Sequence, residues 1–167
     1  IQKKLTIDIV KRGESNAKRV VVQSNIKDKK RIPYTIREPM SPYEIGQLYR
    51  LFHEENYYKS ISEQNYYLIV VDNQERIVAG LCYRMLEDSV AQIDGTVVSS
   101  SFSGRGIGSA MIKDFCNRML GRDVRVVKTH FFLTEFYKKL GFDVDKQWGE
   151  LVKYLTPVSD ETGLDNP

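Results

Sequence analysis

The stretch Ser103-Gly104-Arg105-Gly106-Ile107-Gly108-Ser109-Ala110-Met111-Ile112 follows a β-like run from Gln92 to Val98 and leads directly into an apolar helical pattern. A strand, a glycine loop and a helix joined this tightly leave few folds open, and they bring one chemistry with them. The first turn of a helix carries N–H groups without intrahelical partners, backed by the positive end of the helix dipole. Glycines at 104, 106 and 108 let an anion reach those groups with no Cβ in the way. The loop is therefore expected to hold a phosphate. A nucleotide P-loop requires G-x-x-x-x-G-K-S/T, and neither Gly-Lys-Ser nor Gly-Lys-Thr occurs in the chain. A dinucleotide fingerprint, G-x-G-x-x-G, would place its third glycine at 109 or 111, which are Ser and Met. What stands is a strand-loop-helix unit set late in a single domain.

Val98 to Ala110 resembles the acetyl-coenzyme-A binding segment of the GNAT acyltransferases, whose signature is R/Q-x-x-G-x-G/A followed by a helix. Gly106 and Gly108 stand at its two glycine positions, and Ser103 stands at the first, where the family has Arg or Gln. Main-chain N–H groups carry most of the pyrophosphate binding in that family, and Arg105 is expected to add positive charge nearby. Phe136-Tyr137-Lys138-Lys139-Leu140-Gly141-Phe142 is similar to the family's F-Y-x-K-L-G-F element and lies at the matching distance downstream. The resemblance covers roughly Ile32 to Leu155. It implies an α/β (α+β) fold with a mixed, mostly antiparallel central sheet and helices on both faces. The sheet would be splayed at the acetyl-coenzyme-A site, so that the pantetheine arm slots between the fourth core strand and the next. The expected organisation is an N-terminal β-hairpin extension and linker over 1–31, an acyltransferase domain over 32–157, and a polar, mobile tail over 158–167.

Composition narrows the class. Hydrophobic residues make up 41% of the 167 and charged residues 28%, which excludes an intrinsically disordered chain and suits one domain. No apolar run approaches the ~20 residues needed to cross a bilayer, and no secretory signal is visible, so a cytoplasmic location with no membrane partner is expected. A net charge of +3, spread over Lys3 to Arg31 and again after Arg118, reads as solvated faces and not as a nucleic-acid stripe. Cys82 and Cys116 lack metal-ligand spacing and are expected as reduced core thiols. With His53 and His130 the only histidines, neither a metal site nor a Ser/His/Asp triad is expected. Ile1 stands where an initiator Met is expected, so the chain is expected to be a piece of a longer protein.

Leu5–Val10 and Val20–Gln23 read as strands around a turn containing Gly13-Glu14-Ser15-Asn16, and the basic run Lys27–Arg31 reads as a linker into a first core strand at Tyr34–Arg37. Ser41-Pro42-Tyr43-Glu44 combines capping-box spacing with Pro at the first helical position, and Ile45, Leu48, Tyr49 and Phe52 follow as one buried stripe. Tyr66–Asp72 and Arg76–Leu86 read as a β-hairpin, and Ala91–Val98 as the strand entering the glycine loop. Ile107, Met111, Phe115 and Met119 form the next buried stripe, with Gly121 as C-terminal cap. A strand over Asp123–Lys128 follows. A last helix is expected from about Phe132, with Leu133, Phe136, Tyr137 and Leu140 inward, then a final strand over Trp148–Leu155.

The resemblance implies cofactor contacts from Val97, Val98, Ser103, Gly104, Arg105, Gly106, Ile107, Gly108, Ser109, His130 and Tyr137. His130 stands where many relatives carry an Asn that contacts the pantetheine arm. Tyr137 matches the tyrosine that gives a proton to the leaving sulfur, and a tyrosine is protonated at neutral pH, as an acid should be. It also belongs to an apolar helical stripe, where a core aromatic is the alternative. The first helix and the loop after it wall the acceptor site in the family, so Phe52, His53, Glu54, Tyr57 and Tyr58 are candidate substrate-side residues, or else helix-end packing groups. Alternation places Gln92, Asp94, Thr96 and Val98 on one face of their strand. Asp94 is thereby a candidate general base for the amine, or a carboxylate paired to a cation.

The reading is an N-acetyltransferase moving an acetyl group from acetyl-coenzyme A to a primary amine by direct attack, since neither cysteine has a visible base partner. A homodimer and attachment to further domains are both compatible with it. Two rivals stand beside it. One is a coenzyme-A-binding sensing or interaction domain with little turnover; the other is nucleotide binding by the glycine loop. Small amines, amino acids, aminoglycosides and protein lysines or N-termini all remain open as acceptors.

Overall fold

Leu68–Val71, Val78–Tyr83 and Ala91–Val97 are buried at every position and not at alternate ones, the pattern of strands covered on both faces. The computed structural model describes residues 3–8, 19–57, 64–147 and 149–156. Its strands are β1 (Lys3–Asp8), β2 (Arg19–Lys27), β3 (Pro33–Arg37), β4 (Tyr66–Val71), β5 (Ile77–Glu87), β6 (Val90–Val98), β7 (Val126–Thr129), β8 (Asp143–Asp145) and β9 (Glu150–Tyr154). Helix α1 (Pro42–Glu54) lies between β3 and β4, α2 (Ile107–Gly121) between β6 and β7, and α3 (Thr134–Lys139) between β7 and β8. The strands form one nine-stranded sheet in the order β1-β2-β3-β4-β5-β6-β7-β9-β8. Every neighbouring pair is antiparallel except β6 and β7. This is the mixed, mostly antiparallel sheet that was expected.

Helix α1 covers one face, with Leu48, Leu51 and Phe52 in a cluster with Ile69, Val71, Cys82 and Val97. Helix α2 covers the other, with Ile107, Met111, Phe115 and Met119 in a larger cluster that takes in Leu81, Tyr83, Ile93, Val127 and Tyr137. No helix among the described residues is long and apolar enough to cross a membrane.

Ser41 caps α1 as its position predicts, its Oγ accepting from the Glu44 amide at 3.3 Å. The capping box is left open, because the Glu44 carboxylate accepts from the Met40 amide (2.7 Å) and from Arg37 (2.9 and 2.7 Å). Other details depart from expectation. Gly121 is the last residue of α2, and the left-handed residue behind it is Asp123. Helix α3 begins at Thr134, later than expected, so Leu133 precedes its apolar stripe, takes a left-handed conformation and is half-exposed. The three residues of β8 are too few for periodicity to show, and Trp148 lies outside the described residues.

The expected hairpin strands β1 and β2 are paired, and β2 continues onto β3 from Gln23 to Lys27. The basic run Lys27–Arg31 ends β2 and turns back at once. Asp28 holds that turn: its Oδ1 accepts from the amides of Lys30 (2.8 Å) and Ile32 (2.9 Å), and its Oδ2 from the Tyr34 hydroxyl (2.8 Å). Burial alone would raise this carboxyl, but the Ile32 amide, the Tyr34 hydroxyl, the Lys30 amide and the Arg105 charge hold it below the usual range. Asp114 of α2 fastens the same region from the other side, accepting from Ser24 Oγ and Arg118 Nε, each at 2.6 Å, while Arg118 Nη2 donates to the Ile36 carbonyl at 3.0 Å.

Two features of β6 place the site. Its parallel pairing with β7 runs from Val90↔Val126 to Ile93↔Thr129 and then stops, while its pairing with β5 continues to Val98. The sheet is therefore split beyond Ile93, with one edge of Asp94–Val98 open. The second feature is a β-bulge: Cys82 pairs with Gly95 and Tyr83 with Ile93, leaving Asp94 as the extra residue. The bulge overturns the expected common face. Ile93 belongs to the α2 cluster and Val97 to the α1 cluster, so Gln92 and Asp94 stay on the α1 side while Thr96 and Val98 cross to the α2 side.

Removing the Asp114 carboxylate takes an ion-pair partner from the buried Arg118 guanidinium. Asp114→Ala is expected to lower the unfolding free energy in urea by about 3–5 kcal/mol. A loss below about 1 kcal/mol would show that this pair does not fasten α2 to the β2–β3 edge.

Candidate active site

Beyond the split the chain makes a single 3-10 turn at Ser100–Phe102 and then enters the glycine loop. The carboxylate of Glu55, just past α1, accepts from the Ser100 amide at 2.9 Å and ties the two segments together. Gly104 and Gly106 both have positive φ, at 73° and 83°, a conformation that costs a side-chain-bearing residue energy. Gly106 is the N-cap of α2, and the first intrahelical bond runs from the Ala110 amide to its carbonyl (3.1 Å). The amides of Ile107, Gly108 and Ser109 therefore have no carbonyl inside the helix to bond. They border a cleft of about 640 Å³ lined also by Val98, Phe102, Ser103, Gly104 and Gly106.

Gly108 serves that cleft by its lack of a side chain. A Cβ there would sit 3.3 Å from Val98 Cγ2 and 3.5 Å from the Phe136 ring. Thr96, Leu133, Phe136, Lys29 and Lys139 complete the lining. Sequence reasoning missed these five, and Phe102, as site residues. Lys139 occupies the lysine of the F-Y-x-K-L-G-F element, a signal that was available. Lys29 sits in a basic run read as linker, and only the sheet brings it to the loop.

Tyr137 meets the cleft through Thr96. Its hydroxyl is buried and lies 2.6 Å from Thr96 Oγ1, with a further hydrogen bond to Thr129. Thr96 belongs to the opened edge of β6 and Thr129 is the last residue of β7, so Tyr137 bridges the two strands where they part. Burial pushes its hydroxyl up to about 12, against the opposing pull of the Thr96 and Thr129 hydrogen bonds.

The remaining expected residues fall into separate positions. Val97 faces the α1 cluster, so only its backbone faces the open edge. Arg105 turns away from the cleft, with Nη1 3.4 Å from the Tyr34 hydroxyl and 3.7 Å from Asp28, and its guanidinium 5.0 Å from the Phe102 ring centroid. Asp94 is buried, and both its carboxylate oxygens bond Arg84, at 2.6 and 3.1 Å. His130 is exposed just past β7, its Nε2 2.7 Å from Gln92 Nε2. Tyr57 reaches from the end of α1 to the split, donating to the Asp94 carbonyl at 2.8 Å, with its ring 5.4 Å from that of Phe132. Phe52 lies buried behind Tyr57, with ring centroids 5.3 Å apart. His53 and Glu54 are exposed on the last turn of α1, and Tyr58 lies outside the described residues. No group of three or more His, Cys, Asp or Glu among the described residues could hold a metal ion.

A split between parallel strands, a helix N-terminus with left-handed glycines and a buried tyrosine at the junction form one connected arrangement. Residues 31–142 match the model of the acetyltransferase (GNAT) family. The chain belongs to that family. No curated protein matches it in sequence. Solved structures with the same fold include the GNAT domain of S. lividans PAT, with a TM-score of 0.65 and 13% identity over 80% of this chain and 97% of that one. Tetrahymena GCN5 gives 0.63 and 16% over 71% and 90%. An aminoglycoside 6'-N-acetyltransferase complexed with coenzyme A gives 0.59 and 17% over 75% and 99%. At these identities the likeness is one of fold. The site residues fit the coenzyme A used by GNAT enzymes on grounds of their own: unpaired amides and cleft-side lysines suit a diphosphate, and a cradle that a Cβ at Gly108 would crowd leaves it room.

The loop conformation and the exposed helix glycine Gly46, which has nothing within 4 Å of an added Cβ, make opposite predictions for one substitution. Gly106→Ala is expected to lower the unfolding free energy by about 1–2 kcal/mol, and Gly46→Ala to raise it by about 0.5–1 kcal/mol. Equal and same-signed shifts in chemical denaturation would contradict the left-handed loop.

Proposed function

We propose that this chain transfers an acetyl group from acetyl-coenzyme A to a primary amine by direct attack. The observation that carries the reading is Tyr137, a buried acid bridging Thr96 and Thr129 at the point where β6 and β7 separate. When bound, acetyl-coenzyme A supplies an acyl thioester, which an amine can cleave with release of a thiol. The amides of Ile107, Gly108 and Ser109 bind the diphosphate, and the helix dipole adds to their field. The open edge of β6 from Asp94 to Val98 offers backbone groups to an extended ligand, as a strand would. Tyr137 keeps its proton at neutral pH and holds it at Oη, where it is available to a departing thiolate.

The proton lost by the amine needs an acceptor on the α1 side of the split. Asp94 stands there with both oxygens on Arg84, and it sets the strand edge through its carbonyl bond to Tyr57. We assign the acceptor role to His130, which is exposed with its Nε2 2.7 Å from Gln92 Nε2, since a neutral imidazole carries a nitrogen that can accept a proton. Tyr57 and the exposed Phe132 face each other across the end of the split and form the acceptor wall. The locked Asp94 favours one other reading, a coenzyme-A-binding domain without turnover.

Turnover and binding separate the two. Micromolar binding of coenzyme A with no binding of ATP is expected in calorimetry, together with acetyl transfer in an amine screen. Tyr137→Phe is expected to reduce kcat by about 100-fold or more while coenzyme A affinity changes by less than about twofold. An unchanged kcat would remove Tyr137 from the chemistry, and binding without transfer to any amine would favour the domain without turnover.

A further inference from the structure

The arginine expected at the phosphate loop faces away from it, and the cation that stands over the loop comes from the other end of the chain. Lys29 lines the cleft, and a Cβ added to Gly106 would lie 3.7 Å from Lys29 Cε and 4.0 Å from its Cγ. The backbone holds it there, because the Lys29 amide donates to the Arg105 carbonyl at 3.1 Å and joins the β2–β3 turn directly to the glycine loop. The side chains of the same two segments are joined as well. Arg105 Nη1 donates to the Tyr34 hydroxyl and lies 3.7 Å from the buried Asp28 carboxylate, to which Tyr34 itself donates. Arg105 is thereby used as a strut between turn and loop, with Phe102 under its guanidinium. Lys29 lies outside the 31–142 match, on the turn that β2 adds to the sheet.

We propose that Lys29 is a phosphate-binding residue of the acyl-coenzyme A site, delivered by the β2–β3 turn and set in place by the Asp28–Arg105 strut. The proposal rests on the reading above that the cleft takes acyl-coenzyme A. A lysine head is a compact charge on a flexible stem with three donors, suited to a diphosphate already held by fixed amides. Lys139 of α3 lines the same cleft, so the diphosphate lies between cations from two distant segments. The N-terminal strands then belong to the ligand site as well as to the sheet, and Arg105 is a positioning residue for Lys29.

The test is calorimetric titration of the whole chain with coenzyme A at several potassium chloride concentrations, each variant being checked for a native thermal transition. Lys29→Ala is expected to weaken binding about tenfold at low salt and to flatten its salt dependence. Lys29→Arg restores most of the affinity. Lys30→Ala removes the same charge from the next residue, which does not line the cleft, and stays within about twofold of wild type. Arg105→Ala weakens binding in the native chain but adds little once Lys29 is alanine. Equal effects of Lys29→Ala and Lys30→Ala would overturn the assignment of Lys29, and full additivity of Arg105→Ala with Lys29→Ala would overturn the strut. If the wild type binds coenzyme A normally in either case, the acyltransferase reading survives. Failure of the wild type to bind coenzyme A sinks that reading and this proposal with it.

Discussion

Between Cys82 and Tyr83 the ladder of β5 skips one residue of β6, and Asp94 is the residue left over. The rest of the site depends on that insertion. It reverses the alternation of β6, so that Thr96 meets Tyr137 on the α2 side while Asp94 reaches Arg84 on the other. It also falls one residue past Ile93, the last residue of β6 paired with β7. A bulge sharpens local twist and ends regular pairing, and here both effects fall at the same place. The open strand edge, the meeting of Thr96 with the buried Tyr137 and the Asp94 carbonyl that receives Tyr57 all fall at this one irregularity.

Buried carboxylates do the fastening around this frame. Asp28 gathers two amides, a hydroxyl and an arginine at the β2–β3 turn, and Asp114 gathers Ser24 and Arg118 between α2 and the same strands. Each would be costly to bury alone and is tolerated because its oxygens are bonded. Together they bind the N-terminal strands to the helix whose first turn lines the cleft. Arg105 takes part in this fastening and turns away from the cleft, which Lys29 and Lys139 line.

Much of the site's location was legible in the residues. The left-handed glycines, the helix after them and the Phe136–Phe142 element carry their meaning locally, because backbone conformation at a glycine and the periodicity of a helix are short-range properties. The cap of α1 was legible for the same reason, down to the hydroxyl of Ser41. Side-chain partners were not. Asp94 could be read as base or ion-pair partner, and Arg84, which bonds both its oxygens, is ten residues away on the adjacent strand. Arg105 was expected to add positive charge near the loop, and Asp28, 3.7 Å from it, lies far off in sequence.

Spacing over a few residues was enough to read most of the strands, the three helices, their order and the glycine loop at the start of α2, though not β8. Which strands part, which face each residue of β6 presents and which cations line the cleft follow only from the folded chain. Those outcomes depend on a one-residue register shift between β5 and β6 and on pairings between distant segments. A shift of one residue exchanges the two faces of a strand, and Gly95 beside Asp94 is a local mark of a bulge that does not by itself say which residue is left over or where the pairing with β7 ends.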